Sequence, residues 1–262
     1  MTAARDTAEA LLAARHALRP AGPLPASVRP ADLAAGIAAQ CALAELVGAW
    51  PPAGFKIGAT GARMRDYLGL ATPIAGFMQQ QNIHDSGAVL SFAGLRGAGV
   101  ECELAVRLAT DLPPGPCTQA QAIEAVGAIM TGIEIVENRY GPPPSGDLKA
   151  VGVPTLVADQ MFHAACVLGA PQNAASVDLG ALSGEILVDE QRRDGGPATE
   201  LLGHPMAALA WIAGSDEARA FGGLRAGQVI MLGSVTPPIW LSAPGTIRVR
   251  FTGLSDAVVT FN

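Results

Sequence analysis

Three glutamates carry the densest chemical information in the 262-residue chain. Glu101 and Glu103 fall in Val100-Glu101-Cys102-Glu103-Leu104-Ala105-Val106-Arg107-Leu108, where apolar residues recur at every second position. Side chains along a strand point alternately to its two faces, so both carboxylates share one face, roughly 7 Å apart. Glu134 lies in Ala128-Ile129-Met130-Thr131-Gly132-Ile133-Glu134-Ile135-Val136, a lone acid in an apolar run. An ionised carboxylate in such surroundings is costly unless it is paired or bound to a cation. Two readings stay open. In one, the first pair faces solvent on an edge strand, while Glu134 points outward or pairs with Arg107 or Arg139. In the other, all three converge on one divalent ion that offsets their mutual repulsion. An oxygen-only donor set without His or Cys selects a hard cation, Mg²⁺ or Mn²⁺ (or Ca²⁺), over zinc.

Other constellations carry less. His84-Asp85-Ser86 cannot act as a catalytic triad, because consecutive residues do not supply that geometry. Gly94-Leu95-Arg96-Gly97-Ala98-Gly99 precedes an expected strand rather than a helix, so it is no nucleotide loop. His204 reads as a helix N-cap. Of the 17 cations only Lys56 and Lys149 are lysines. Lys56, after an aromatic residue, reads either as a snorkelling surface side chain or as a functional cation. Asp159 reads either as a cap for the turn at 160–162 or as a pocket acid.

The elements that must position these residues follow from pattern. Residues 6–18 and 31–49 repeat apolar side chains at helical spacing and flank a Pro-rich loop at 19–30. They predict an N-terminal helical region, 1–50, ahead of a domain spanning 51–262. Short runs punctuated by Gly and Pro predict strands at 54–60, 87–92, 99–109, 130–137, 164–168, 184–190, 228–233, 246–252 and 257–261. Helices are expected at 61–69, 119–128 and 205–220. Strands and helices do not alternate regularly, which disfavours a Rossmann sheet or a (β/α)8 barrel. The expected fold class is α+β, a curved, mixed, mostly antiparallel sheet core with an N-terminal helical appendage.

Composition narrows the function classes. The formal charge of −6 comes without any basic block to grip phosphates, so no nucleic-acid partner is expected. No window approaches the ~20 uninterrupted apolar residues of a membrane span, and no signal-peptide core is visible. Four cysteines without C-x-x-C spacing indicate neither a zinc ribbon nor a disulfide framework. A soluble, cytoplasmic protein is expected.

The E-x-E pair, followed 31 positions after Glu103 by Glu134 in G-I-E-I-V-E-N-R, resembles the fumarylacetoacetate hydrolase superfamily. Within it the pattern is similar to the 2-keto-4-pentenoate hydratases, 2-oxo-4-ene-dioate hydratases and 4-oxalocrotonate decarboxylases. Supporting motifs run in the same order. Phe55-Lys56-Ile57-Gly58-Ala59-Thr60 resembles K-V/I-G-L/A-T, and Leu156-Val157-Ala158-Asp159 resembles V-A-D-N. Leu202-Gly203-His204-Pro205 with its Ala-rich helix through Trp211 resembles L-G-H-P-L-x-A-x-x-W-L-A. Residues 224–238 resemble L-x-x-G-D-V-I-x-x-G-S-x-T-x-P.

This resemblance implies that Glu101, Glu103 and Glu134 hold one Mg²⁺ or Mn²⁺. It implies Lys56 beside the substrate oxygens as charge stabiliser or proton donor, and Asp159 ordering the pocket or moving a proton. Gly233, Ser234 and Thr236 would contact the substrate carboxylate. The implied activity is that of a metal-dependent lyase on a small 2-oxo acid: first a 2-keto-4-pentenoate-type hydratase of aromatic-compound catabolism, alternatively a decarboxylase of 4-oxalocrotonate or oxaloacetate type. A homo-oligomer, with a decarboxylase or hydratase partner, is implied too. The chain departs from the pattern at three places. Pro73-Ile74-Ala75-Gly76 replaces P-D-F-G or P-D-Y-G, Gln160-Met161-Phe162 replaces Asn-Ala-Ser, and Gly227-Gln228-Val229 replaces Gly-Asp-Val. The metal set is complete while the proton-relay set is altered, so a non-catalytic metal-binding assembly subunit stands as a reading from another class. A carbon–carbon bond hydrolase of the acylpyruvate type is disfavoured, since the sequence offers no evident His-centred pair to activate water.

Overall fold

Alternating runs become strands only where a partner can pair with them, and here the partners divide into two sheets. The computed structural model describes residues 2–16, 22–141 and 147–262. Helices α1 (Ala3–His16) and α2 (Leu33–Leu46) precede β1 (Gly54–Gly58), α3 (Ala62–Leu68), β2 (Ile74–Met78), β3 (Ile83–Asp85), β4 (Ala88–Leu90) and β5 (Ala98–Leu108). Next come α4 (Gln119–Ala125), β6 (Val126–Glu137), α5 (Leu148–Val151), α6 (Val153–Ala158), β7 (His163–Leu168), β8 (Gln172–Asn173), β9 (Ser183–Val188) and β10 (Gln191–Pro197). The chain closes with α7 (Pro205–Ala213), α8 (Asp216–Ala220), β11 (Val229–Ser234), β12 (Ile239–Trp240), β13 (Thr246–Phe251) and β14 (Ala257–Phe261). The larger sheet runs β2-β1-β11-β5-β6-β7-β3, with β12 added to β5 and β8 to β6; the smaller runs β10-β9-β13-β14-β4. Among the described residues only β1 with β11, β3 with β7 and β4 with β14 pair parallel. The expected α+β architecture with a mixed, mostly antiparallel sheet core and N-terminal helices is the one that forms.

Register sorts the larger sheet into two faces. Val100, Cys102, Leu104 and Val106 of β5, with Ile129, Ile133 and Ile135 of β6 and Phe55 and Ile57 of β1, join Ile186, Ile247, Val249 and Val259 of the smaller sheet in the main core. Burying each such side chain stabilises the fold by about 1.5–3 kcal/mol. The other face carries the acids. Glu101 sits opposite Glu134, Glu103 opposite Gly132, and Lys56 beside Met231. An apolar patch of Ala105, Met130, Cys166, Leu168 and Met231 shares that face.

Boundaries moved where tertiary pairing overrode local pattern. Thr118 and Gln121 form a reciprocal capping box that starts α4, but the helix expected to 128 ends at Ala125, where β6 begins to pair with β5. The helix expected over 205–220 is two, because Ser215 caps a fresh turn through the Ala218 N–H. Strand β2 reads as no alternation, since Ile74 through Met78 are buried on both faces. Of the loop expected at 19–30, residues 19–21 lie outside the described residues, as do 17–18 of the first expected helix; 22–30 contain neither helix nor strand. No described helix is long and apolar enough to cross a membrane.

The N-terminal helices are locked to the sheet by polar and steric contacts. Asp32 caps α2 through the Ala35 N–H at 2.8 Å. Gly36 lies flush on α6, where an added Cβ would come within 2.5 Å of the Pro154 carbonyl oxygen. Gln40, fully buried, donates to the Ala75 carbonyl (3.0 Å) and the Val157 carbonyl (2.6 Å) and accepts from the Phe77 N–H (3.3 Å). One amide thus ties α2 to β2 and α6. Gln40→Leu would leave the Ala75 carbonyl and the Phe77 N–H buried without this partner, while the Val157 carbonyl keeps the Gln160 N–H. We expect a loss on the order of 3 kcal/mol, read as a lower urea midpoint at unchanged slope; an unaltered midpoint refutes the assignment.

Candidate metal centre

Cross-strand pairing brings together residues 33 positions apart in sequence, Glu101 and Glu134. Each of Glu101, Glu103 and Glu134 offers an oxygen, and these lie within 4.8 Å of one another. Glu103 and Glu134 are fully buried and Glu101 partly, on central strands rather than an edge. The solvated-face alternative therefore does not hold. Neither does pairing of Glu134 with Arg107 or Arg139. Arg107 donates to the Gly227 carbonyl, and Arg139 is taken up by Glu137, Asp159 and the His163 carbonyl.

Glu134 Oε1 instead meets Lys56 Nζ at 3.2 Å and His163 Nδ1 at 2.8 Å. Glu103 Oε2 accepts the Gly233 N–H at 3.1 Å. The second oxygen of each, Glu103 Oε1 and Glu134 Oε2, is buried with no hydrogen-bond partner, and so is His163 Nε2. Buried carboxylate oxygens are ordinarily satisfied. Two left bare beside a third carboxylate match the donor set of a hard divalent cation.

The electrostatics agree. Burial, then Glu134, push the Glu101 carboxyl up to about 8 against the pull of Lys56. Burial, then Glu134 and Glu101, hold Glu103 well above the usual carboxylate range. For Glu134 burial acts upward too, but Lys56 and His163 outweigh it and bring the group down to about 2. Burial would neutralise Lys56; the three acids overcome this and raise it. His163 is lowered, burial outweighing Glu134, so its neutral ring donates from Nδ1 to Glu134 and leaves an acceptor at Nε2.

The remaining sequence candidates fall in two places. Lys56 Nζ also donates to the Met161 carbonyl at 3.2 Å. Ser234 Oγ donates to the Cys102 carbonyl (3.2 Å) and accepts the Thr236 N–H (3.2 Å), and Thr236 is buried. A register shift between Met231 and Ser234 turns the Gly233 N–H toward Glu103. Only glycine fits there, because φ is +102° and a Cβ would lie 2.4 Å from Thr60 Cγ2. Asp159 lies apart from the three glutamates' contacts. It ends α6, accepts from Arg15 and Arg139 Nε (2.8 Å each) and from Tyr140 Oη (2.7 Å), and is fully buried. Burial acts upward on it, yet Arg139 and Arg15 bring its carboxyl down to about 2. This is a residue that orders its surroundings. Ile74 stands opposite Gly58, two residues past Lys56.

His163, Arg15 and Tyr140 escaped the sequence reading. The sequence offered no evident His-centred pair to activate water; the structure places His163 against Glu134. This contact depends on a bulge between Ile135 and Val136 in the β6–β7 register, which no one-dimensional spacing reveals. The nearest signal was a histidine four residues beyond Asp159, at the mouth of an expected strand.

Fold and site together define an α+β enzyme built around an acidic, buried centre. No protein-family model matches the chain. It is 30% identical over 209 residues to a 2-keto-4-pentenoate hydratase of Burkholderia vietnamiensis (strain G4 / LMG 22486), covering 79% of this chain and 77% of that protein. It is 26% identical over 209 residues to a 4-oxalocrotonate decarboxylase of Pseudomonas putida, covering 79% and 76%. The solved structure of 4-oxalocrotonate decarboxylase from Pseudomonas putida G7, complexed with magnesium and adipate, shares the fold with a TM-score of 0.89 at 22% identity, over 99% of this chain and 97% of that one. The chain belongs to the 2-keto-4-pentenoate hydratase family.

The Asp159 network yields a pH prediction. Its carboxyl sits at about 2 when folded, against an ordinary 3.8, so the folded state binds fewer protons than the unfolded one. The stabilisation is complete above about pH 4 and is lost as pH falls through about 2. Asp159→Asn takes the counter-charge from Arg15 and leaves Arg139 only Glu137, at a cost on the order of 3 kcal/mol at pH 7. Its stability should then respond less to acid than the parent's between pH 4 and 2. Parallel acid limbs in urea melts would contradict this.

Proposed function

We propose that this protein is a divalent-metal-dependent lyase acting on a small 2-oxo acid, foremost a 2-keto-4-pentenoate-type hydratase in the breakdown of aromatic compounds. The observation that carries the reading is the pair of bare buried oxygens, Glu103 Oε1 and Glu134 Oε2, beside Glu101. Glu101, Glu103 and Glu134 would hold Mg²⁺ or Mn²⁺. Such an ion, when bound, supplies a Lewis acid that stabilises negative charge on the substrate's C2 oxygen. The relatives' names supply the substrate class.

The chain's own residues would do the rest. His163 Nδ1–H fixes Glu134 Oε1 and leaves Oε2 without a hydrogen-bond partner, the kind of outer support that orients ligands. Lys56, held by Glu134 and the Met161 carbonyl, presents a buried ammonium that can hold or deliver a proton at a substrate oxygen. The segment Gly233–Ser234–Thr236 offers hydroxyl and backbone donors to the substrate carboxylate. Asp159 acts from a distance, by ordering the chain that leads to His163. Residues 51–262 would form the catalytic domain, with the helices of 1–50 bracing it. We place the protein in the cytoplasm as a homo-oligomer; exposed Leu33, Trp50 and Ile123 are side chains such contacts would cover.

Decarboxylation is the second reading, and Ile74 favours it. The strand beside Lys56 lacks the acid that the hydratase pattern carries there, and loss of carbon dioxide needs no water to be deprotonated.

Two experiments test the proposal. Mg²⁺ at about a hundred times its Kd should stabilise the protein by roughly 2–3 kcal/mol, reversibly with EDTA. Glu103→Gln should raise metal-free stability, by removing the cost of burying and protonating that acid, and abolish the response; a parent that ignores Mg²⁺ sinks the reading. In turnover, the absorbance of 2-hydroxypenta-2,4-dienoate should fall only with metal present, and Lys56→Met should slow kcat by about 10²-fold or more. Carbon dioxide released from 4-oxalocrotonate, with the dienoate untouched, would select the decarboxylase instead.

A further inference from the structure

Aromatic rings stand along the ladder from the acidic centre, beside the strand that carries the partly buried Glu101. β12 pairs with the start of β5 so that Trp240 lies opposite Gly99. Opposite residues of an antiparallel pair project to one face, so the indole shares the face of Glu101 and Glu134. It lies directly on the backbone, where a Cβ at Gly99 would come within 2.7 Å of Trp240 Cε3 and 2.9 Å of Val136 Cγ2. Gly99–Val136 precedes Glu101–Glu134 by two positions along the ladder, roughly 7 Å. The Phe162 ring meets Trp240 edge-on at 6.2 Å and Tyr140 at 5.7 Å. Trp240 remains 40% exposed although it packs on the sheet.

Phe162 is held there at a conformational cost. Gln160, Met161 and Phe162 have φ of +60°, +41° and +70° in succession, a left-handed turn that costs roughly 1–2 kcal/mol per non-glycine residue. The turn is tied throughout. Gln160 Nε2 donates to the Phe77 carbonyl (2.6 Å), its Oε1 accepts from Arg15 (2.9 Å), and Lys56 and the Glu137 N–H bond the Met161 and Phe162 carbonyls (3.2 and 2.8 Å). Strain retained under so many restraints marks a segment whose shape matters.

We infer that Phe162 and Trp240 form the wall that receives the substrate's far end, and that they select 2-oxo acids with an uncharged apolar tail over those ending in a second carboxylate. This rests on the metal-centred 2-oxo acid reading above. Phe162 offers a carboxylate no donor and Trp240 only one neutral indole N–H, and moving a charge against apolar rings is costly without a cation to meet it. Among the described residues, Arg15 and Arg139 are engaged by Asp159, Arg96 by Glu137, and Arg65 by the Ala59 and Thr60 carbonyls, while Arg63 stands exposed on α3. The segment Gly233–Trp240 then serves both ends of one ligand, with polar groups toward Glu103 and an indole toward the tail.

Calorimetric titration of the Mg²⁺-loaded protein with pyruvate, 2-oxohexanoate and 2-oxoadipate tests this, because the last two have equal chain length and differ only in the terminal group. We expect 2-oxohexanoate to bind at least about tenfold tighter than 2-oxoadipate. Phe162→Ser should shrink that ratio to about threefold or less, and Trp240→Lys should reverse it. A parent that prefers 2-oxoadipate, or a ratio identical in parent and both variants, overturns the inference. Trp240→Lys gains a preference rather than losing one, which an unfolded protein cannot imitate. If pyruvate itself shows no Mg²⁺-dependent binding to the parent, the metal-centred reading fails and this one with it; pyruvate binding with a ratio favouring 2-oxoadipate overturns the tail assignment alone.

Discussion

Three carboxylates within 4.8 Å on adjacent central strands are the constraint on which the rest of the structure turns. At an effective dielectric near 20, two full charges at that separation repel by about 3–4 kcal/mol, while Lys56 at 3.2 Å attracts Glu134 by about 5 kcal/mol. One ammonium therefore cannot balance three ionised acids. Either protons remain on Glu101 and Glu103, the direction in which burial and their neighbours drive them, or a dication takes their place. A fold that keeps such a cluster forgoes stability at its own centre. The large apolar core on the opposite face of the same strands is what allows it.

Much of the surrounding architecture keeps those acids close rather than letting them splay apart. Gly132, opposite Glu103, leaves room for the Met231 side chain, whose Cε would lie 2.8 Å from any Cβ placed there. The register shift in β11 turns one N–H onto Glu103. The parallel pairing of β1 with β11 sets Lys56 next to Met231 and so within reach of Glu134. Each is a backbone decision, and each places one polar atom.

The face of a strand was legible wherever alternation reported it, and for that reason Glu101 and Glu103 could be paired from the sequence. Glu134 was legible by contrast with its apolar neighbours. Nothing local announced that β2 is a strand, since burial on both faces erases the period of two, or that Gln191–Pro197, polar and glycine-rich, would pair as β10. His163 and Arg15 were invisible for a stricter reason. Their partners lie 29 and 144 positions away, and only a bulged register and a docked helix bring them there.

Asp159 shows how a residue can belong to a site without touching its chemistry. The Arg139 guanidinium it holds also donates to the His163 carbonyl at 3.0 Å, and the residue after it opens the left-handed turn whose Met161 carbonyl receives Lys56. Both cationic partners of that network are buried or nearly so, so their pairing is rigid as well as strong. Arg15 comes from α1, outside the two sheets. The N-terminal helices thereby reach, through one carboxylate and one turn, the two groups that contact Glu134 directly. A helical region that is remote in sequence from the glutamates thus helps fix their geometry, through Asp159 on one side and through the Gln40 contacts to β2 on the other.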